Sequence, residues 1–273
     1  MQELLDNPVI QAGVAPLIVA LIVSSLLART PAAWLAVAAG YATMLALSTG
    51  LAFSPLTASR KVTLLVLLAP LAGLVVDRLV PGSKGRVAGI ALSVAGGLAV
   101  LWSMSSVLVQ RETAEAITRA ALVFASAAGI VGLVLRLRAD GVASAAAGLA
   151  LGLATGIAAL LSASIGYFMA GIALAAASGA MLLVQMVTGR SWPAGFTGAL
   201  TIGLAAALFA SASLMLAQLP WYALPLMGLA PFALLLSPGG RGPVWRRAVI
   251  LGVLALLGAA APLLAAWSAT AGQ

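Results

Sequence analysis

The chain alternates between long apolar runs and short polar turns. Ten runs can be drawn, at 9–28, 32–53, 62–80, 87–109, 120–137, 141–161, 164–188, 194–218, 221–237 and 247–268. Most approach the roughly 20 residues that an α-helix needs to cross a hydrocarbon core about 30 Å thick. They are apolar on every face rather than striped, which predicts helices buried in protein or facing lipid. Barrel strands would instead alternate in polarity over about ten residues. The pattern predicts an all-α integral membrane protein with about ten transmembrane helices, forming a single polytopic domain over 1–273.

Composition rules out a soluble alternative. Hydrophobic residues make up 63% of the chain and charged residues 7%, against about 25% charged in soluble domains. The absence of Cys removes disulfides, thiolate metal sites and redox dithiols, and the absence of His removes the commonest haem, zinc and copper ligand. No metal and no cofactor is expected.

The formal charge of +8 follows from topology rather than from a nucleic-acid partner. With the N-terminus outside, Arg29, Arg78, Lys84, Arg86, Arg136, Arg138, Arg190, Arg241, Arg246 and Arg247 fall in inner turns. Arg60, Lys61, Arg111 and Arg119 fall in outer ones. The positive-inside rule therefore predicts both termini outside. The acidic start, with Glu3 and Asp6, lacks the basic region of a secretory signal, so the first run is expected to stay as a span. Trp34, Trp192 and Trp245 near inner ends and Trp221 and Trp267 near outer ends read as an aromatic belt.

Small-residue spacing supplies the strongest local pattern. Gly148, Gly152 and Gly156 recur every four residues in the sixth run, and Gly171, Ala175 and Gly179 in the seventh. Four-residue spacing puts each set on one helix face, where a neighbour can approach backbone to backbone. A short turn joins the two runs, so a tight hairpin is predicted. Packing within the chain outweighs self-association as its role.

Pro225 and Pro231 predict a kinked or broken ninth helix, because each proline removes a backbone hydrogen bond. Gly96-Gly97 weakens the middle of the fourth run. In a five-plus-five inverted arrangement these two runs are counterparts, and paired interruptions mark a transporter substrate site. Independent kinks remain the simpler account of the same residues. The turns at 81–86 and 238–243 share Pro, Gly and a basic residue, as tight inner turns commonly do.

Polar groups inside the runs are few. Trp102, Ser105 and Ser106 lie toward the outer side of the fourth run, Gln185 toward the inner side of the seventh, and Tyr41 and Tyr167 supply hydroxyls. Trp102, Ser105, Ser106, Gln185, Pro225 and Pro231 are the candidate solute path, set against a role as structural glue between helices. Asp77-Arg78 reads as an interfacial pair at the end of the third run. Residues 110–119 place Glu115 and Arg119 at i, i+4, consistent with a helical extension of the fifth run.

Every carboxylate lies at or beyond the end of a run, which leaves acid–base catalysis without a positioned group. The expectation is a non-enzymatic, permease-like protein that moves a small neutral or lipophilic solute. The alternative is a non-catalytic subunit or scaffold of a larger membrane complex, with other membrane subunits or copies of itself as partners. A lipid-modifying enzyme relying on Asp77 or Asp140 ranks below both. The compact Ala-, Gly- and Arg-rich style suggests a bacterial inner membrane.

Overall fold

The computed structural model describes residues 7–28, 30–48, 50, 54–80, 84–216, 219–237 and 242–271. Among the described residues there are helices and turns and no strand. Helix α1 (Ala15–Leu26) is entered through a π-helical turn, Ile10–Val14, and α2 (Leu35–Ser48) through a 3-10 turn, Pro31–Trp34. Then come α3 (Ala58–Leu79), α4 (Gly85–Leu108), α5 (Thr113–Arg136) and α6 (Gly141–Leu161). They are followed by α7 (Ile165–Thr188), α8 (Gly195–Leu216), α9 (Ala223–Leu226), α10 (Leu229–Leu236) and α11 (Val244–Ala271).

Seven of these, α3 to α8 and α11, are long and apolar enough to cross a membrane. The chain is therefore a helical multi-pass membrane protein. Three shorter apolar rods, Ile10–Leu26, Ala32–Ser48 and Ala223–Leu236, fall below that length. Glu3, Asp6, Arg29, Arg241 and parts of the turns at 81–86 and 238–243 lie outside the described residues.

Local chemistry sets several boundaries. Thr57 caps α3 by accepting from Arg60 N, so α3 begins earlier than the apolar run. Helix α5 also starts early. There Glu115 pairs with both Arg111 and Arg119 at 2.8 Å, one turn to each side. Asp140 caps α6 through Val142 N and Ala143 N. Gly189, at φ +65°, ends α7 in the left-handed conformation.

Helix α8 is the axle. Every residue from Phe196 to Met215 is buried. Helices α2, α3, α4, α5, α6 and α7 all pack against it. A helix with protein on all sides has no need of a polar stripe, which is why this run is apolar all round. Residues such as Leu71, Val75, Val87, Leu98, Val253 and Leu257 of α3, α4 and α11 point outward and are exposed. They form the apolar outer shell that a bilayer requires.

Helices α6 and α7 form the most extensive helix pair. A Cβ on Gly152 would sit 2.8 Å from Ala175 Cα and from Gly171 O. One on Gly171 would sit 2.5 Å from Gly156 Cα, and Gly148 lies against Ser178. Gly179 has only an ordinary contact at 3.7 Å, with Leu149.

Three expectations change. Helix α4 runs unbroken through Gly96-Gly97. These glycines admit α5 instead, with Val131 and Phe124 within 3.2 and 2.8 Å of their Cβ positions. The ninth run is broken, at Met227-Gly228 between α9 and α10. With only one of the two interruptions present, the paired-helix argument for a midplane site falls. Trp34 is no belt residue: it is fully buried, and its Nε1 donates to Pro193 O at 3.0 Å. Trp221, Trp245 and Trp267 are exposed.

Candidate functional site

Helices α2, α3, α7 and α8 share a polar seam whose two ends differ. At the end where α3 stops and α8 starts, Asp77 turns its carboxylate into the first turn of α8. Oδ1 accepts from Phe196 N at 2.8 Å, and Oδ2 accepts from Thr197 N at 2.9 Å and Thr197 Oγ1 at 2.7 Å. Ala194, just ahead of α8, has no side chain able to cap it. A carboxylate from another helix fills that role and meets the positive end of the helix dipole. Gly195, at φ +63°, leaves the room for it, since a Cβ there would lie 2.6 Å from Asp77 Oδ2. Asp77 is thus tied to α8 rather than paired with Arg78, as the sequence suggested; the need for a remote cap outweighs adjacency in the chain.

The neighbouring groups at this end are also engaged. The Arg138 guanidinium lies 4.7 Å over the Phe196 ring, and Arg138 O accepts from Gly195 N at 3.0 Å. Arg247 forms an ion pair with Asp140. Trp34 covers Gly198.

Among the described residues the opposite end of the seam is open. A cleft of about 480 Å³ lies among α2, α3, α7 and the last residue of α8, lined by Tyr41, Ser48, Thr63, Ser164, Tyr167 and Met169, with Arg60 also on its wall. The Tyr41 hydroxyl lies 3.5 Å from Thr63 Oγ1. The Tyr167 hydroxyl is buried and has no partner among the described residues. Leaving such a group unpaired costs about 1–3 kcal/mol. The cleft beside it falls within the ordinary ligand-pocket volume range of about 300–1,000 Å³.

Deeper along the seam, the Tyr41 ring packs on Phe209 at 5.5 Å between centroids. Tyr41 and Phe209 also bound a small void with Val37, Val66, Leu174 and Thr201 that is too tight for water. Thr201 Oγ1 then donates to Thr197 O at 2.7 Å, and Thr197 reaches Asp77. One line therefore runs from an open cleft, past an aromatic constriction, to a hydrogen-bonded closure. Hydroxyls, thioethers and alkyl groups line the open part, with no acid among its lining residues.

The candidate solute-path residues lie elsewhere. Lys61 Nζ joins two of them, donating to Trp102 O at 3.4 Å and Ser105 Oγ at 3.2 Å, and it sits 5.0 Å over the Trp102 ring. Ser106 is exposed beside them. Gln185 is buried at the Asp77 end, donating to Met181 O at 3.2 Å, while its Oε1 has no partner among the described residues. The start of α4 touches Arg138 at that same end. Trp102, seventeen residues along α4, is therefore about 25 Å from it along the helix axis. Pro225 and Pro231 sit on α9 and α10, which pack mainly on α5, α6 and α11.

The structure thus joins Trp102 to Ser105 but gathers neither Gln185 nor the prolines to them, and none of the six lines the cleft. Tyr41 and Tyr167 were visible as rare hydroxyls inside apolar runs; Thr63 and Ser164 carried no signal of their own. Comparison of the chain with protein-family models, curated proteins and solved structures yields no match.

Proposed function

We propose that this protein is a permease for a small neutral or lipophilic solute bearing a hydrogen-bonding group. One observation carries the reading: the seam among α2, α3, α7 and α8 opens as a cleft at one end and is closed by Asp77 at the other. In this reading the chain crosses the membrane ten times with both termini outside. The cleft then faces outward and the Asp77 end faces the cytoplasm. The described basic residues support this: Arg78, Lys84, Arg86, Arg136, Arg138, Arg190, Arg246 and Arg247 share the Asp77 end. The solute sits between Tyr41 and Tyr167 and bonds the Tyr167 hydroxyl. Passage requires the Tyr41–Phe209 contact and the Asp77 bonds to part, as in alternating access.

The chain contains no cysteine, so introduced thiols report access directly. A membrane-impermeant maleimide added to intact cells should label Thr63→Cys and Ser164→Cys and leave Arg190→Cys, exposed at the Asp77 end, unlabelled until the cells are opened. Equal labelling at all three positions, or none at the first two, would end this reading.

A second reading, a non-catalytic membrane subunit, draws on a separate cleft of about 860 Å³ between α5 and the segment following α8. Its wall mixes Arg111, Glu115, Arg119 and Trp221, residue types suited to a partner's extramembrane segment. Gentle solubilisation should then recover a stable companion, whereas a lone active monomer removes this reading.

A further inference from the structure

A groove of about 800 Å³ lies between α4 and α5 at the Asp77 end, separate from the solute cleft. Arg86 enters it from the first turn of α4, Arg136 from the last turn of α5, and Arg138 from just beyond. The described ion pairs involve Arg111, Arg119 and Arg247, so no described carboxylate neutralises these three cations. Arg138 is held in place by Leu135 O, at 3.2 Å, and by the Phe196 ring. Arg86 and Arg136 are exposed. Three like charges around one groove repel one another and create a field that attracts an anion.

Apart from Ser93, whose hydroxyl donates to Gly89 O at 2.7 Å, the rest of the groove is apolar. Ile90 and Val94 form one wall and Leu133 the other, and Gly129 and Gly132 widen the trough. A Cβ placed on Gly129 would meet nothing within 4 Å, so the trough is open there. Val87, Ile90, Val94 and Leu98 are all exposed, so this face of α4 looks out into the bilayer. A free phosphate would use the arginines and leave the apolar trough empty. A ligand with an anionic head and an alkyl chain uses both.

We propose that this groove is a binding site for an anionic phospholipid. Its phosphate lies among Arg86, Arg136 and Arg138, and one acyl chain lies along Ile90, Val94 and Gly129. The site does not depend on the permease reading, because it shares no residue with the cleft.

The test titrates the purified full-length protein with phosphatidylglycerol and with phosphatidylcholine of the same chains, reading bound lipid by native mass spectrometry. Phosphatidylglycerol should bind more tightly. The double variant Arg86→Gln, Arg136→Gln should weaken it about thirtyfold, on the order of fivefold for each arginine, and weaken phosphatidylcholine, whose choline offsets its phosphate, by much less. Gly129→Leu, which fills open space, should weaken both lipids. Arg60→Gln with Lys61→Gln, at the other end of the molecule, should change neither.

Equal affinity for the two lipids would overturn the proposal. So would an unchanged affinity in the double arginine variant, an equal loss in the Arg60, Lys61 control, or displacement of the lipid by equimolar inorganic phosphate. If the double arginine variant does not elute as a folded species, Gly129→Leu and the phosphate competition decide the matter.

Discussion

The same four helices, α2, α3, α7 and α8, are tied together at one end and parted at the other. At the Asp77 end the Asp77 carboxylate accepts from Phe196 N and Thr197 N in the first turn of α8, and Trp34 bonds across to Pro193. At the Tyr167 end a tyrosine hydroxyl is buried without a partner beside a cleft. The difference is one of satisfaction. Charge-assisted hydrogen bonds are roughly twice as strong as neutral ones, so the first end holds itself shut. The second end leaves a buried hydroxyl unpaired.

Removing the closure is expected to have the largest effect. Asp77→Ala should lower stability by about 3 kcal/mol, because it strips three bonds from a helix terminus; thermal unfolding in detergent measures this. Asp77→Asn, which retains one accepting oxygen, should lose about half as much and should raise Thr197→Cys labelling if the closure is a gate. Overpacking the α6–α7 pair provides the contrast. Gly152→Leu should destabilise by about 3 kcal/mol or prevent folding, and no ligand in the cleft should restore it. A variant that folds normally would mean that the α6–α7 approach is not needed.

A smaller effect is expected from Trp34→Phe, which keeps the ring and loses the bond to Pro193, at about 1 kcal/mol. Tyr167→Phe should not lower stability and should raise it by about 1 kcal/mol, since the hydroxyl it deletes is buried with no described partner. Solute binding or uptake should nevertheless fall. A variant with lowered stability and unaltered uptake would reverse the comparison between the two ends. The smallest effect belongs to Glu115→Gln at the surface, within about 0.5 kcal/mol despite its two ion pairs.

Much of the helical layout was legible because its causes are local. The runs at 141–161 and 164–188 closely match α6 and α7, whereas the Thr57 cap, unread in the sequence, starts α3 ahead of the run at 62–80. The spacing of Gly148, Gly152 and Gly156 places small residues on one face of α6, and that of Gly171 and Ala175 does the same on α7, whatever lies opposite. The site was much less legible. Trp102 and Trp34 are the same residue type near helix ends, yet Trp102 faces outward and Trp34 is in the core. In the sequence, Gly96-Gly97 and the stretch from Pro225 to Pro231 both look like weak points. Only the second is a break, because α5 packs into the first and supports it.

The sequence by itself determined the all-helical membrane class, the approximate helix ends and the segregation of basic turns. Apolar run length, capping and charge are sums over neighbouring residues, so they can be read in order along the chain. Only the tertiary structure decided that Asp77 caps α8, that α8 is the buried axle, and that Tyr41 and Tyr167 meet across one cleft. These depend on which helix faces which. In an apolar medium the hydrophobic effect does not choose between one apolar face and another, and with 29 glycines in the chain, many faces allow close approach.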